Sequence, residues 1–473
     1  CRCAIGRSSR QRRVLMKNRF IYILILLLLP VVASGQEMTL TLENCKEMAL
    51  QNDPSVRNAH LDLLAARAQK QEVFAEYFPK VSLNAFGFWS LSPLLEVGIK
   101  DIIGENELSD VLGALIESAS QQYDFSPIYK ALKTGYVASV SAIQPLYTGG
   151  RVVAGNRLAS LGVEAAKLQQ EIVLRENEAS VESDYWQVVS LEEKLGTVSV
   201  LSQLLDTLHK DLTSAVQAGL AVQTDLMQLE LKQSEIKSGI VQLKGGIRLA
   251  KMKLLNSIGQ DYCFLAANSD TLKPFIDDIV FADRLDDLMP PQEYYVPEEQ
   301  LAAGMNENQL LDLSVQAKKI EKRIALGEAL PTVGVGASYN YSRTINERAN
   351  GTVFATVQIP ISDWGKVSRK VQRVDYQMQK ASNTRDYLSS QLILQVRQLW
   401  LGLTVAWDKM MVARETMDLA QKTVDQLTAS YEAGLVPMSE LLQAQTILRQ
   451  STEAYIDSQI EYSAALTAYQ SRK

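Results

Sequence analysis

Side chains able to do chemistry are few and scattered in this chain of 473 residues. Its two histidines, His60 and His209, each lie in a helical stretch with no neighbouring metal-ligand pattern. Of four cysteines, Cys1 and Cys3 fall in a leader, while Cys45 and Cys263 have no histidine near in sequence to activate a thiol. One possible pair is not a disulfide framework. The acid pairs Asp277-Asp278 and Asp286-Asp287 are of the type that binds divalent cations, but such pairs in a polar segment are more often solvated. No glycine-rich phosphate loop follows a strand. No nucleophile with its base, no metal set and no phosphate cradle emerges, so neither enzymatic activity nor a cofactor is expected.

Two further acids have positional meaning. AGLAVQTDLMQLE begins at Ala218 and AGLVPMSELLQAQ at Ala433, 215 positions apart, and QPLYTGGRV at Gln144 and IPISDWGKV at Ile359 keep that offset. Two independent matches at one offset mark an internal duplication. Gly219 and Gly434 suit the left-handed conformation that ends a helix. Thr224 and Ser439 then precede Asp225 and Glu440, whose carboxylates favour the positive end of the next helix. Each motif therefore reads as the turn of a helical hairpin.

The helices on either side are long. From Gly150 to about Val216 there is no proline, and Val181, Tyr185, Val188, Leu191, Leu195, Val198, Leu201, Leu205, Leu208 and Leu212 recur at steps of three and four. After the first turn, Leu226, Leu229, Gln233, Ile236, Ile240, Leu243, Ile247, Ala250 and Leu254 continue a coiled-coil seam. Leu441, Ala444, Leu448, Ser451, Tyr455, Ser458, Tyr462, Ala465 and Tyr469 match them in the second copy, large alternating with small. The segments 150–216 and 366–431 would each reach roughly 100 Å at 1.5 Å per residue, too long for one compact bundle.

Each hairpin is preceded by a period-two pattern. In TVGVGASYNY, Val333, Val335, Ala337, Tyr339 and Tyr341 share one face; in TVFATVQIP, Val353, Ala355, Val357 and Ile359 do. Between them a polar stretch ends in Asn350-Gly351, a hairpin signal. VSLNAFGFW and GYVASVSAIQPL are the equivalents in the first copy. Strands of about ten residues with one apolar face suit a transmembrane barrel, although an amphipathic hairpin on a soluble core has the same pattern. Pro79 to Pro145 spans 66 residues and Pro331 to Pro360 only 29, so the first strand pair carries an insertion at about 91–130. Four strands cannot close a barrel, and open edges cannot sit in lipid, so membrane insertion would require several chains to share one barrel.

A basic segment at Met16, an apolar run from Phe20 to Leu29 and small residues up to Gly35 predict a secretory signal cleaved before Gln36. The arginines ahead of Met16 are expected to precede the true start. Without residues 1–35 the chain has 41 basic against 54 acidic side chains, a net charge of −13 that argues against nucleic acid as a partner. No later apolar run is long enough for a transmembrane helix.

The LTLENCKEMALQNDPSV opening, the two strand–helix junctions, the two turn motifs and the duplication together resemble the TolC-type outer-membrane efflux family over nearly the whole chain after the leader. That resemblance implies a mainly α fold with transmembrane β. Three copies would share a 12-stranded β-barrel in outer-membrane lipid and stack α-helical coiled-coil hairpins into a periplasmic tunnel. It further implies a gated, passive exit duct of a tripartite efflux or type I secretion system, with a periplasmic adaptor and an inner-membrane pump as partners. The family's tunnel-entrance aspartates align with Glu440 and Gln443, leaving a single carboxylate ring, and the tips Ala218, Gly219, Leu220, Ala433, Gly434 and Leu435 would contact the adaptor.

The expected domains are the leader (1–35), a first repeat (36–261; strands about 81–90 and 135–146, hairpin about 150–259), an equatorial linker (262–300) and a second repeat (301–473; strands about 332–342 and 352–361, hairpin about 366–473). The alternative reading is a soluble periplasmic coiled-coil adaptor. Adaptors, however, usually carry one hairpin between β-rich domains.

Overall fold

The computed structural model describes residues 38–92, 95–97, 110–112, 114–115, 118, 129–131, 134–219, 221–263, 275–284, 288–342 and 348–472. The leader, Leu220, Asp286-Asp287 and most of the insertion at 91–130 lie outside them.

In chain order the elements are β1 (Met38–Leu40), α1 (Leu42–Asn52), α2 (Pro54–Ala75), β2 (Lys80–Trp89), β3 (Leu95–Val97), β4 (Tyr129–Ala131), β5 (Thr134–Thr148), α3 (Arg151–Gln217) and α4 (Gln223–Ser257). There follow β6 (Ile279–Phe281), α5 (Glu298–Gly304), α6 (Asn306–Gly327), β7 (Thr332–Ser342), β8 (Arg348–Gln358), α7 (Lys366–Glu432) and α8 (Met438–Gln470). Helix α1 stops one residue short of Asp53, because Pro54 disfavours helical geometry in the residue before it. Both α3 and α7 run 67 residues without a break. Among the described residues no helix is long and apolar enough to cross a membrane.

The chain divides into two compact units. The first holds residues up to Asp53, Glu178–Met289 and Ala406–Ala464. In it β1 pairs in parallel with β6, Leu40 opposite Phe281. Leu40, Cys45, Ala49, Tyr185, Val188, Leu254, Ile258 and Ile279 form a closed apolar core there. The Tyr185 hydroxyl donates to Asp283 Oδ2 at 2.8 Å, and that oxygen also accepts the Leu42 N–H at 2.7 Å, which fixes the start of α1. The buried Lys251 ammonium is satisfied by Ile279 O at 2.6 Å and Glu192 at 2.8 Å, as a buried charge must be. A second core joins Val198, Leu201, Leu205 and Leu212 of α3, Leu226, Leu229 and Ile236 of α4, and Met438, Leu441 and Leu442 of α8. At about 1.5–3 kcal/mol per buried large aliphatic side chain, this seam is what holds the two hairpin ends together.

The second unit holds Pro54–Asn177, Pro290–Val405 and the chain from Ala465. Its sheet has the order β2-β5-β7-β8, all antiparallel, so β5 and β7 lie side by side at its centre. Directly paired residues point to the same face. One face collects Val81, Leu83 and Trp89 of β2, Val140 of β5, Val335 and Tyr339 of β7, and Val353 and Val357 of β8, all exposed. The other collects Ser82, Ser141, Ser338 and Thr352 in one row and Asn84, Ser139, Asn340 and Asn350 in the next. Ser82 and Ser141 hydroxyls lie 3.0 Å apart. Strands β3 and β4 pair antiparallel in a separate two-stranded sheet.

Two local expectations change. The last strand covers Arg348–Gln358 rather than 352–361. Asn350-Gly351 is not the turn: both pair with β7, opposite Asn340 and Tyr339, because extending the ladder satisfies more backbone groups than a turn there would. Thr224 and Ser439 lie in the first turns of α4 and α8, and Val222 stands at the cap of α4 without a side-chain bond.

Candidate functional site

Both hairpin turns are built from glycine at positive φ, 75° at Gly219 and 72° at Gly434. At the second, the Leu435 N–H reaches Ser430 O at 2.9 Å and the Gly434 N–H reaches Tyr431 O at 2.9 Å. That pair of bonds satisfies carbonyls left free at a helix end and requires the left-handed residue between them. At the first, the Gly219 N–H reaches Val216 O at 3.0 Å. Ala218, Gly219, Ala433, Gly434 and Leu435 are all exposed, Leu435 at 77 %. Leu220 lies outside the described residues.

The first turn of α8 has two sides. Met438 and Leu441 are 1 % exposed and belong to the shared core. Glu440 and Gln443, three positions apart on a helix, face the other way, exposed, as that spacing dictates. They border a groove of about 370 Å³ with Thr416, Leu419, Thr423 and Leu427 of α7. The sequence reading missed this α7 wall, although Thr416 and Thr423 are one heptad apart. Asp225 opens α4 with a first-turn carboxylate. Burial, then the charges of Asp225 and Asp211, push the phenol of Tyr431 above its ordinary range.

Among the described residues the other side chains with chemical potential are not brought together. His60 approaches Gln170 at 3.5 Å and His209 approaches Glu230 at 3.3 Å. Cys45 is enclosed in a core, and Asp277 accepts a two-pronged bond from Arg248, which holds its carboxyl below the usual range. Among the described residues no group of three or more His, Cys, Asp or Glu could hold a metal ion.

Comparison with known proteins follows the same lines. No curated protein sequence matches the chain. The fold is similar to that of CusC, at TM-score 0.70 and 14 % identity over 91 % of each chain. It is similar to the CmeC outer membrane channel of Campylobacter jejuni, at TM-score 0.70 and 12 % identity over 91 % of this chain and 85 % of that one. The outer membrane protein VceC of Vibrio cholerae matches at TM-score 0.67 and 15 % identity, over 91 % and 95 %. Likeness at such identities establishes the fold. Residues 46–260 and 309–469 match the family described as outer membrane efflux protein. With those two stretches covering more than half of its length, the chain belongs to the outer membrane efflux protein family.

Proposed function

We propose that three copies of this chain close one shared β-barrel in the outer membrane and stack their hairpins into a periplasmic tunnel, the passive exit duct of a tripartite efflux or type I secretion system. The observation that carries this reading is the four-stranded sheet, apolar on one face and crossed on the other by two rows of Ser, Thr and Asn, with β2 and β8 as its outer strands among the described residues. Lipid tolerates neither unpaired edge groups nor a polar outward face, so closure by further copies with Ser and Asn rows turned inward satisfies both demands. Four strands from each of three copies make a twelve-stranded barrel.

In this assembly Glu440 and Gln443 line the tunnel entrance, and three Glu440 carboxylates form one acidic ring. Ala218, Gly219, Leu220, Ala433, Gly434 and Leu435 are the contact points for a periplasmic adaptor that links the duct to an inner-membrane pump. The domain division at about 261 and 300 is proposed on the same basis. The adaptor alternative has no support from a family match that covers both repeats.

The test is the native mass of the detergent-extracted protein, with single-channel conductance of the wild type and Glu440→Gln. A trimer whose divalent-cation block is lost in Glu440→Gln is the expected result. A monomer released without detergent would refute the reading.

A further inference from the structure

We propose that Trp364 is an intersubunit wedge: its indole seats against Phe74, Tyr77 and Phe78 of a second copy of this chain, below a β8–β2 pairing whose register copies that of β5 with β7. The inference rests on the shared-barrel reading and adds the contact and register that reading lacks.

Trp364 has φ 54°, the one positive value at a non-glycine among the described residues, and is 99 % exposed. L side chains rarely adopt this conformation, bulky ones least of all. The turn is nevertheless firmly built. Asp363 accepts the Gly365 N–H at 3.0 Å and the Val367 N–H at 2.7 Å, fixing the start of α7. Strained, held and fully exposed, the indole gains no packing among the described residues of one copy.

The duplication supplies its partner. The offset of 215 that superposes QPLYTGGRV on IPISDWGKV places Trp364 at the position of Gly149, also left-handed at φ 66°. A Cβ on Gly149 would meet Gly327 O at 2.2 Å and Leu330 Cβ at 3.0 Å. That contact follows from strand pairing, since β5 runs into Gly149 while Gly327 and Leu330 lead into its neighbour β7. In the same way β8 runs into Trp364, and Ala75 and Phe78 lead into β2, which is the other free edge. Aligning Pro79 with Pro331 matches Ala75 to Gly327 and Phe78 to Leu330.

Copying the internal junction onto the two edges therefore aims Trp364 at Ala75 and Phe78 of a second copy. There Phe74 packs edge-on against both Tyr77 and Phe78, with ring centroids 5.6 Å apart, and the three rings stay 53 %, 38 % and 53 % exposed. Tryptophan against alanine cannot repeat the glycine-to-glycine approach, so the second junction sits wider and the indole fills the gap.

The register follows too. Ser141 opposite Ser338 and Ala142 opposite Ala337 become Thr356 opposite Phe86 and Val357 opposite Ala85 of the second copy. Each pair stays on a single face of the sheet. This also accounts for the early end of β8 at Gln358, because residues 359–363 correspond to the end of β5, which β7 pairs, and pair with no strand among the described residues of one copy.

Thr356→Cys combined with Phe86→Cys, in the full chain with Cys263→Ser, should give covalently linked oligomers on mild oxidation, whereas Thr356→Cys with Asn84→Cys should not. Linking in the shifted pair alone, or in neither pair of an intact trimer, overturns the proposal and leaves the shared barrel standing. A monomeric native mass instead removes the reading beneath it. Trp364→Gly relieves the strain within one copy, so only a lost contact between copies can make it harmful. It should lower the temperature at which the trimer dissociates in detergent, with Trp364→Phe partly restoring it. An unchanged dissociation temperature, or strong quenching of Trp364 by brominated lipid, overturns the wedge, the latter by making lipid the occupant.

Discussion

The Tyr469 hydroxyl meets the backbone of Val296 twice, accepting its N–H at 3.0 Å and approaching its carbonyl oxygen at 3.3 Å. Its ring is fully buried, with the centroid of Trp400 5.4 Å away. One heptad earlier in α8, Tyr462 is likewise buried, donates to the Met289 carbonyl and packs on Trp407 at 5.1 Å. Both tyrosines are on the seam predicted from spacing, and each reaches a backbone 173 residues away in sequence. The seam thus also anchors the polypeptide around Met289 and Val296.

Tyr469→Phe keeps the ring and strands the Val296 N–H. A buried donor left without a partner costs about 1–3 kcal/mol, so the segment around Val296 should open more often. Cleavage by a glutamate-specific protease at the exposed Glu293 should accelerate by about 5- to 150-fold. An unchanged rate would mean that the hydroxyl does not hold the linker.

Two left-handed glycines should respond differently to alanine. Gly434 has nothing within 4 Å of a new Cβ, so Gly434→Ala carries only the conformational cost, about 1 kcal/mol. At Gly149 the Cβ would meet Gly327 O at 2.2 Å, so backbone must move and the folded yield should collapse. Thermal melts of both variants test this, and equal effects would contradict it.

The two faces of β8 should also differ. Val353→Arg sets a charge on the apolar face, worth about 2–4 kcal/mol against insertion where the position lies at mid-bilayer. Thr352→Arg, on the polar face, should still reach the membrane as an oligomer. Equal assembly of both variants would mean that the faces are not lipid and lumen.

Cys45 is expected to be inert. Burial, and secondarily the charge of Asp283, push its thiol up to about 12 from 9.0. Native protein at pH 8 should therefore react with a thiol reagent at Cys263 and not at Cys45 until unfolding exposes it. The linkage has a definite sign. Below about pH 9 the thiol is protonated in both states and contributes no pH dependence; between 9 and 12 the unfolded thiol ionises and the native one does not, so stability falls as pH rises. Rapid labelling of Cys45 at pH 8 would contradict its enclosure.

What the sequence determined by itself was local. Pro54 ends α1, Gly219 and Gly434 turn the hairpins, and steps of three and four mark Tyr185, Leu205, Leu229 and Leu254 as buried, because conformational preference and helical period act within a few residues. The alternation of Val353, Ala355 and Val357 likewise belongs to any strand. The tertiary structure decided which strands are neighbours, and therefore that Asn350-Gly351 extends β8 and that β8 stops at Gln358. It also decided that Gly149 must be glycine against Gly327 while Trp364 projects from the same position of the other repeat. None of this is visible along the chain, since pairing and close approach depend on which distant segments close against each other, and local propensity holds no record of that choice.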